Sequence, residues 1–159
     1  MNSVKVLATG SDFLREGVRG TGPVVESIMD GAESELQIMA YVISKHAENF
    51  LNLVKKAVER GVKTTLVINN LSEQDREVIE KLGSLAREFN HFKLVDFNRR
   101  GKTLHAKVVV ADRTKAVIGS ANFSWGGMTG NYEIGILVEG PEAWILGKLV
   151  DDVTFSTDR

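Results

Sequence analysis

The sequence predicts an α/β/α sandwich around a central mixed β-sheet, as a single domain spanning residues 1–159. Short apolar, β-branched runs alternate with helix-like stretches as far as residue 97. A run of strands joined by a tight turn follows, and a last strand leads into a C-terminal helix. Strands first interleaved with helices and then consecutive define that layered class. No linker, repeat or low-complexity segment interrupts the pattern.

Residues 4–8 read as the first strand, and 9–20, with their glycines and charges, as a loop. Gly22-Pro23 opens a helix to about Ala32, since proline's missing N–H is harmless in a first turn. Residues 36–43 form an apolar strand. Ser44 is placed to cap a helix reaching Arg60, with Phe50, Leu51, Val54, Ala57 and Val58 on one stripe and Gly61 as its stop. Residues 62–68 are the third strand, Ser72 caps a helix through about Phe89, and 92–97 is another strand. Residues 104–111 (LHAKVVVA) are a β-branched run of buried-strand type. Residues 111–115 make a tight turn with Asp112 at its start, and 116–120 return as the second arm of a hairpin. Residues 132–138 are the last strand, and Pro141 starts a helix ending near Asp151.

Composition narrows the function. With 43% hydrophobic and 26% charged residues the chain has a globular balance, and its length is enough to bury a real core. It has no cysteine, which excludes a disulfide framework and a cysteine-based zinc finger. The first ten residues lack the features of a secretory signal and no run reaches transmembrane length, so a cytoplasmic location is expected. A formal charge of −1 argues against coating nucleic acid by bulk electrostatics. Local clusters remain: Arg99, Arg100 and Lys102 precede residues 104–111, and Arg113 and Lys115 follow them.

The chemistry concentrates after Leu104. Alternation along a strand puts His105 and Lys107 on one face, and the hairpin brings Ser120 and Asn122 back towards His105. Asn131, Glu133 and Gly135 share a face of the last strand. A buried ammonium is costly without an anionic partner, which favours a phosphate over a merely structural lysine. His91-Phe92-Lys93 is a near-copy of the His105 pattern without the residues that follow it, and His91 reads as the exposed start of a strand. His46 reads as solvated. Three histidines without metal-ligand spacing do not support a histidine-held metal. Phe123 and Trp125 fit either a base-stacking surface or core.

His105-x-Lys107-x4-Asp112, then Gly119-Ser120-x-Asn122 and Asn131-x-Glu133, resembles the phospholipase D superfamily. The resemblance implies a phospholipase D-like fold across the chain and a metal-independent phosphodiesterase needing no cofactor. It makes His105 the residue that forms a phosphohistidine. Lys107 would be the phosphate's charge partner, Ser120 and Asn122 donors to the same oxygens, and Glu133 the carboxylate that orients the His105 ring. Asp112 is assigned a structural role. The family's usual pair of facing histidines, set against the single motif here, implies a homodimer with the active site on the two-fold axis. Short single-motif members resemble nucleases, so the leading substrate is DNA or RNA, cut internally, with no stable membrane association. The alternatives are a phospholipid phosphodiesterase or phosphatidyltransferase, and a nucleic-acid-binding module of a larger helicase or restriction enzyme or its complex.

Overall fold

The computed structural model describes residues 2–44 and 46–157. Eight strands form one mixed sheet in the order β2-β1-β8-β7-β6-β3-β4-β5. They are β1 (Ser3–Thr9), β2 (Val18–Gly20), β3 (Glu35–Ala40), β4 (Lys63–Asn69), β5 (Phe92–Phe97), β6 (Val108–Ala111), β7 (Lys115–Gly119) and β8 (Glu133–Glu139). The β3-β4-β5 block and the β1-β2 pair are parallel, as helical crossovers require, while β8, β7 and β6 run antiparallel to their neighbours.

Helices cover both faces. α1 (Thr21–Asp30), α2 (Glu48–Glu59) and α3 (Arg76–Glu88) bury Val24, Ile28, Leu51, Val54, Val78 and Leu82 against Leu36, Ile38, Leu66 and Val109. On the other face α4 (Pro141–Thr157) sets Ala143 and Val150 against Met39, Val67, Val108 and Val138. Neighbours such as Ile38 and Met39 thus serve opposite cores, as the strand period of two demands. Among the described residues no helix is long and apolar enough to cross a membrane.

Several boundaries differ from the sequence reading. Part of the 9–20 loop is strand β2, three residues paired in parallel to Val6–Ala8. Ser44 does not cap α2, which starts four residues later after Ala47; the Ser44 carbonyl instead accepts the Ala47 N–H at 2.9 Å. Ser72 lies in a short 3-10 turn ahead of α3. α4 continues six residues past Asp151.

One end of the sheet gathers chemistry. β1, β3, β4, β5 and β7 finish at the edge where β6 and β8 begin, with Thr9 opposite Glu133, Met39 opposite Val108 and Gly119 opposite Gly135. Loops leaving this edge hold the motif residues.

Candidate active site

The expected strand over 104–111 is laddered only from Val108, which pairs with Met39 of β3 and Ile118 of β7. His105 and Lys107 therefore project beyond the sheet on an extended segment, pinned where the Leu104 N–H donates to Asn69 Oδ1 at 2.9 Å. Lys107 turns to the α1 side, beside Thr21 and Val25, as the alternation from Val109 requires. Lys107 is only 8% exposed. Its side chain lines a small cavity together with Thr21, Val25, Gly119, Phe123 and Gly135, and Nζ donates to the His105 carbonyl at 2.8 Å. The same Nζ stands 3.1 Å from Nδ1 and 3.2 Å from Nε2 of the imidazole, so the contact favours neither tautomer. Burial holds the Lys107 pKa below the ordinary lysine value, and the negative charge of Glu133 partly offsets this.

Tyr41 completes this corner. It follows β3 directly, its ring centroid is 4.6 Å from that of His105, and Lys107 Nζ lies 5.5 Å from its centre. Sequence reasoning missed it. The available signal was its place just past the carboxyl end of an apolar strand, where ligands of open α/β sheets bind.

Gly119 and Gly135 make the room. A Cβ on Gly119 would lie 2.6 Å from the Gly135 Cα and 2.7 Å from the Ile134 carbonyl. Side chains there would push β7 from β8 and fill the Lys107 cavity. Ser120, which follows Gly119, meets Glu133, two residues before Gly135, at the same end of these strands. Ser120 Oγ donates to the Glu133 carboxylate and accepts the Ile134 N–H at 3.1 Å, and Asn131 Nδ2 donates to Glu133 at 3.3 Å. Among the described residues Glu133 is thus held by Ser120 and Asn131 rather than by the His105 ring it was expected to orient. The cause is register: the Ser120 N–H bonds the Ile134 carbonyl at 3.0 Å, placing the serine beside the start of β8. Asn122 lies on the loop leaving β7, its Oδ1 buried and without a partner among the described residues.

Asp112 lies at the opposite end of the sheet. It adopts φ 52° in a turn closed by the Thr114 N–H to the Ala111 carbonyl at 3.1 Å. Its carboxylate accepts the N–H groups of Glu33, Ser34 and Glu35 and the Ser34 hydroxyl at 2.8–3.0 Å, tying the hairpin to the start of β3. The structural role expected of it fits these contacts. Arg113 and Lys115 share that far end: Arg113 pairs with Glu35 and Asp151, and Lys115 with Glu139. Their expected contribution of positive charge near His105 is therefore corrected, because the whole hairpin separates them from it. Arg99, Arg100 and Lys102 do lie at the His105 end, with Arg99 packed on Phe97 and bonded to Ser156.

His91 precedes β5 at the far end, half-buried rather than exposed, 2.7 Å from the Val58 carbonyl. Phe123 stacks on Phe50 at 4.3 Å and belongs to the core, while Trp125 is 61% exposed. His46 is exposed. Among the described residues no cluster of three metal-ligating side chains occurs.

A family model described as cardiolipin synthase, PLD-like domain, matches residues 25–151. The chain belongs to this phospholipase D-like family, whose members are phosphodiesterases. DISARM protein DrmC of Bacillus paralicheniformis is 27% identical over 150 residues, covering 94% of this chain and 62% of that protein. The virion nicking-joining enzyme of vaccinia virus is 30% identical over 88 residues, covering 55% and 20% respectively. This chain thus spans about three fifths of one relative and a fifth of the other. The crystal structure of the phospholipase D family member Nuc from Salmonella typhimurium superposes with a TM-score of 0.77 at 24% identity, over 99% of this chain and 96% of that one. That likeness establishes the sandwich fold.

Proposed function

We propose that this domain is a nuclease that hydrolyses phosphodiester bonds of DNA or RNA without a metal ion, through a phosphohistidine on His105, in a homodimer whose two copies complete one site. The observation that carries this reading is the His105 imidazole held against the nearly buried Lys107 ammonium at the open end of the sheet. An anionic phosphate supplies the close ion-pair partner that this ammonium does not have among the described residues, where Nζ donates to the His105 carbonyl. A ring nitrogen of His105 attacks phosphorus, the bond to the leaving alkoxide breaks, and the alkoxide takes a proton from the second copy's histidine. Water then attacks phosphorus, the phosphorus–nitrogen bond breaks, and the water's proton returns to the same second histidine. Lys107 balances the nonbridging oxygens, and Asn122 serves them through its Nδ2 amide, since the unpartnered Oδ1 can only accept. The Ser120–Glu133–Asn131 chain braces the rim beside them. Relatives named as Nuc and as a nicking-joining enzyme support a nucleic acid as substrate.

A phospholipid reading has its own support in the family description and in α4, which exposes Trp144, Ile145, Leu149 and Phe155. One experiment separates them. Wild type and His105→Ala are incubated in excess EDTA with single-stranded and duplex DNA and RNA, and with cardiolipin or phosphatidylglycerol vesicles. Cleavage of nucleic acid by wild type alone is expected. Turnover of lipid with no nucleic acid cut would replace the nuclease reading.

A further inference from the structure

Resting on the nuclease reading, we propose that the groove beside Trp125 is a subsite for one unstacked nucleobase next to the scissile phosphate, which makes single strands the preferred substrate. The groove, of about 210 Å³, opens between the starts of α1 and α2 and the π-helical turn Gly126–Gly130. It is smaller than the roughly 300–1,000 Å³ sites that take drug-sized ligands, as suits a single flat ring system.

Three features make it a base site. Trp125 is exposed yet seated: a Cβ on Gly130 would come within 2.3 Å of its six-membered ring, so the glycine supports the indole and leaves the rest of it open to the groove. Asn49 and His46, which also line the groove, offer hydrogen-bonding groups for a base edge. Among the described residues the charged lining is Glu26. A carboxylate repels a phosphate backbone and tolerates a neutral base, which fixes which part of a nucleotide enters.

Its position ties it to the His105 site. Val25 and Met128 line both this groove and the small cavity that Lys107 also lines. Trp125 follows Asn122 by three residues, with the Ser124 N–H folded back onto the Asn122 carbonyl at 2.9 Å. Their Cα atoms are therefore at most about 11 Å apart. A base paired and stacked in a duplex cannot enter such a groove without being extruded.

The test compares steady-state cleavage of a single-stranded oligonucleotide with that of an equally long strand whose residues are abasic. Both carry the same phosphodiester backbone, and only one carries bases. Base–aromatic stacking is worth about 1–3 kcal/mol, so Trp125→Ala is expected to raise KM on the normal strand about tenfold. The values for the abasic strand stay at wild type, kcat is unchanged on both, and Trp125→Phe restores most of the loss. Equal shifts on both strands, or no shift on either, overturn the subsite while leaving a working nuclease. Failure of the wild type to cut either strand overturns the nuclease reading itself, and the subsite with it.

Discussion

Replacing Asp112 tests whether the aspartate of the His-x-Lys-x4-Asp pattern belongs to the fold or to the chemistry. Its carboxylate accepts three backbone N–H groups and one hydroxyl. Asp112→Ala strands those donors and places a β-carbon without polar help at φ 52°. A hydrogen bond to a charged group contributes roughly 1.5–3 kcal/mol in a protected site. Water competes at this half-exposed turn, so about 2–4 kcal/mol is expected for the set rather than the sum. For a domain of this size that lowers Tm by about 5–15 °C. Asp112→Gly keeps the turn conformation and removes only the carboxylate, which isolates the hydrogen-bond part. Thermal unfolding followed by circular dichroism gives the shift, and turnover measured well below the variant's Tm should match wild type. Wild-type Tm together with lost turnover would refute the structural assignment. The acid side adds a second check. Burial alone would push the Asp112 carboxyl up, but the hydrogen bonds from Glu35, Glu33 and Ser34 outweigh it, so its folded pKa lies below the ordinary value. Its stabilisation is full above the unfolded carboxyl pKa of about 4 and is lost as pH falls through the folded pKa. Asp112→Asn should therefore narrow the stability difference between pH 7 and pH 3.

Three further outcomes follow from the geometry. Lys107→Met, which keeps a buried unbranched stem but removes the charge, should lower kcat by about 10²–10³ with Tm held or raised; a kcat within threefold of wild type would contradict the phosphate clamp. Because burial lowers the Lys107 pKa and Glu133 raises it, the alkaline limb of kcat/KM should fall below the ordinary lysine range. Glu133→Gln should move that limb to lower pH still, and an upward move would be inconsistent with their coupling. Gly119→Ala drives a β-carbon into the backbone of β8, a misfit of about 1–3 kcal/mol that a melting curve would register; an unchanged Tm would show that the two strands separate freely.

The sequence carried the layers and most strands because α2, α3 and the β-branched runs pattern strongly, and burial follows that pattern. It carried the pairing of His105 with Lys107 because alternation persists one step past the ladder. It did not reveal β2, whose three residues are too few to show a period and become strand through pairing with β1. It ended α4 too early because Val153, Thr154, Phe155, Ser156 and Thr157 are weak helix formers. Packing of Val150 and Val153 on the sheet, with burial of Thr154, carries the helix on, and the Ser156 and Thr157 hydroxyls bond back to the Val153 carbonyl. The partners of Glu133 and the contact of Tyr41 with His105 depend on register and on which strands end together, which no local pattern encodes.

The central claim, that His105 is the residue to which phosphorus becomes bonded, is tested most directly by mass analysis of enzyme quenched during turnover of a single-stranded oligonucleotide in EDTA. The account predicts an acid-labile nucleotide adduct on the peptide carrying His105, absent from His105→Ala. Sustained turnover by an enzyme that remains unmodified, or an adduct on any other residue, would contradict it.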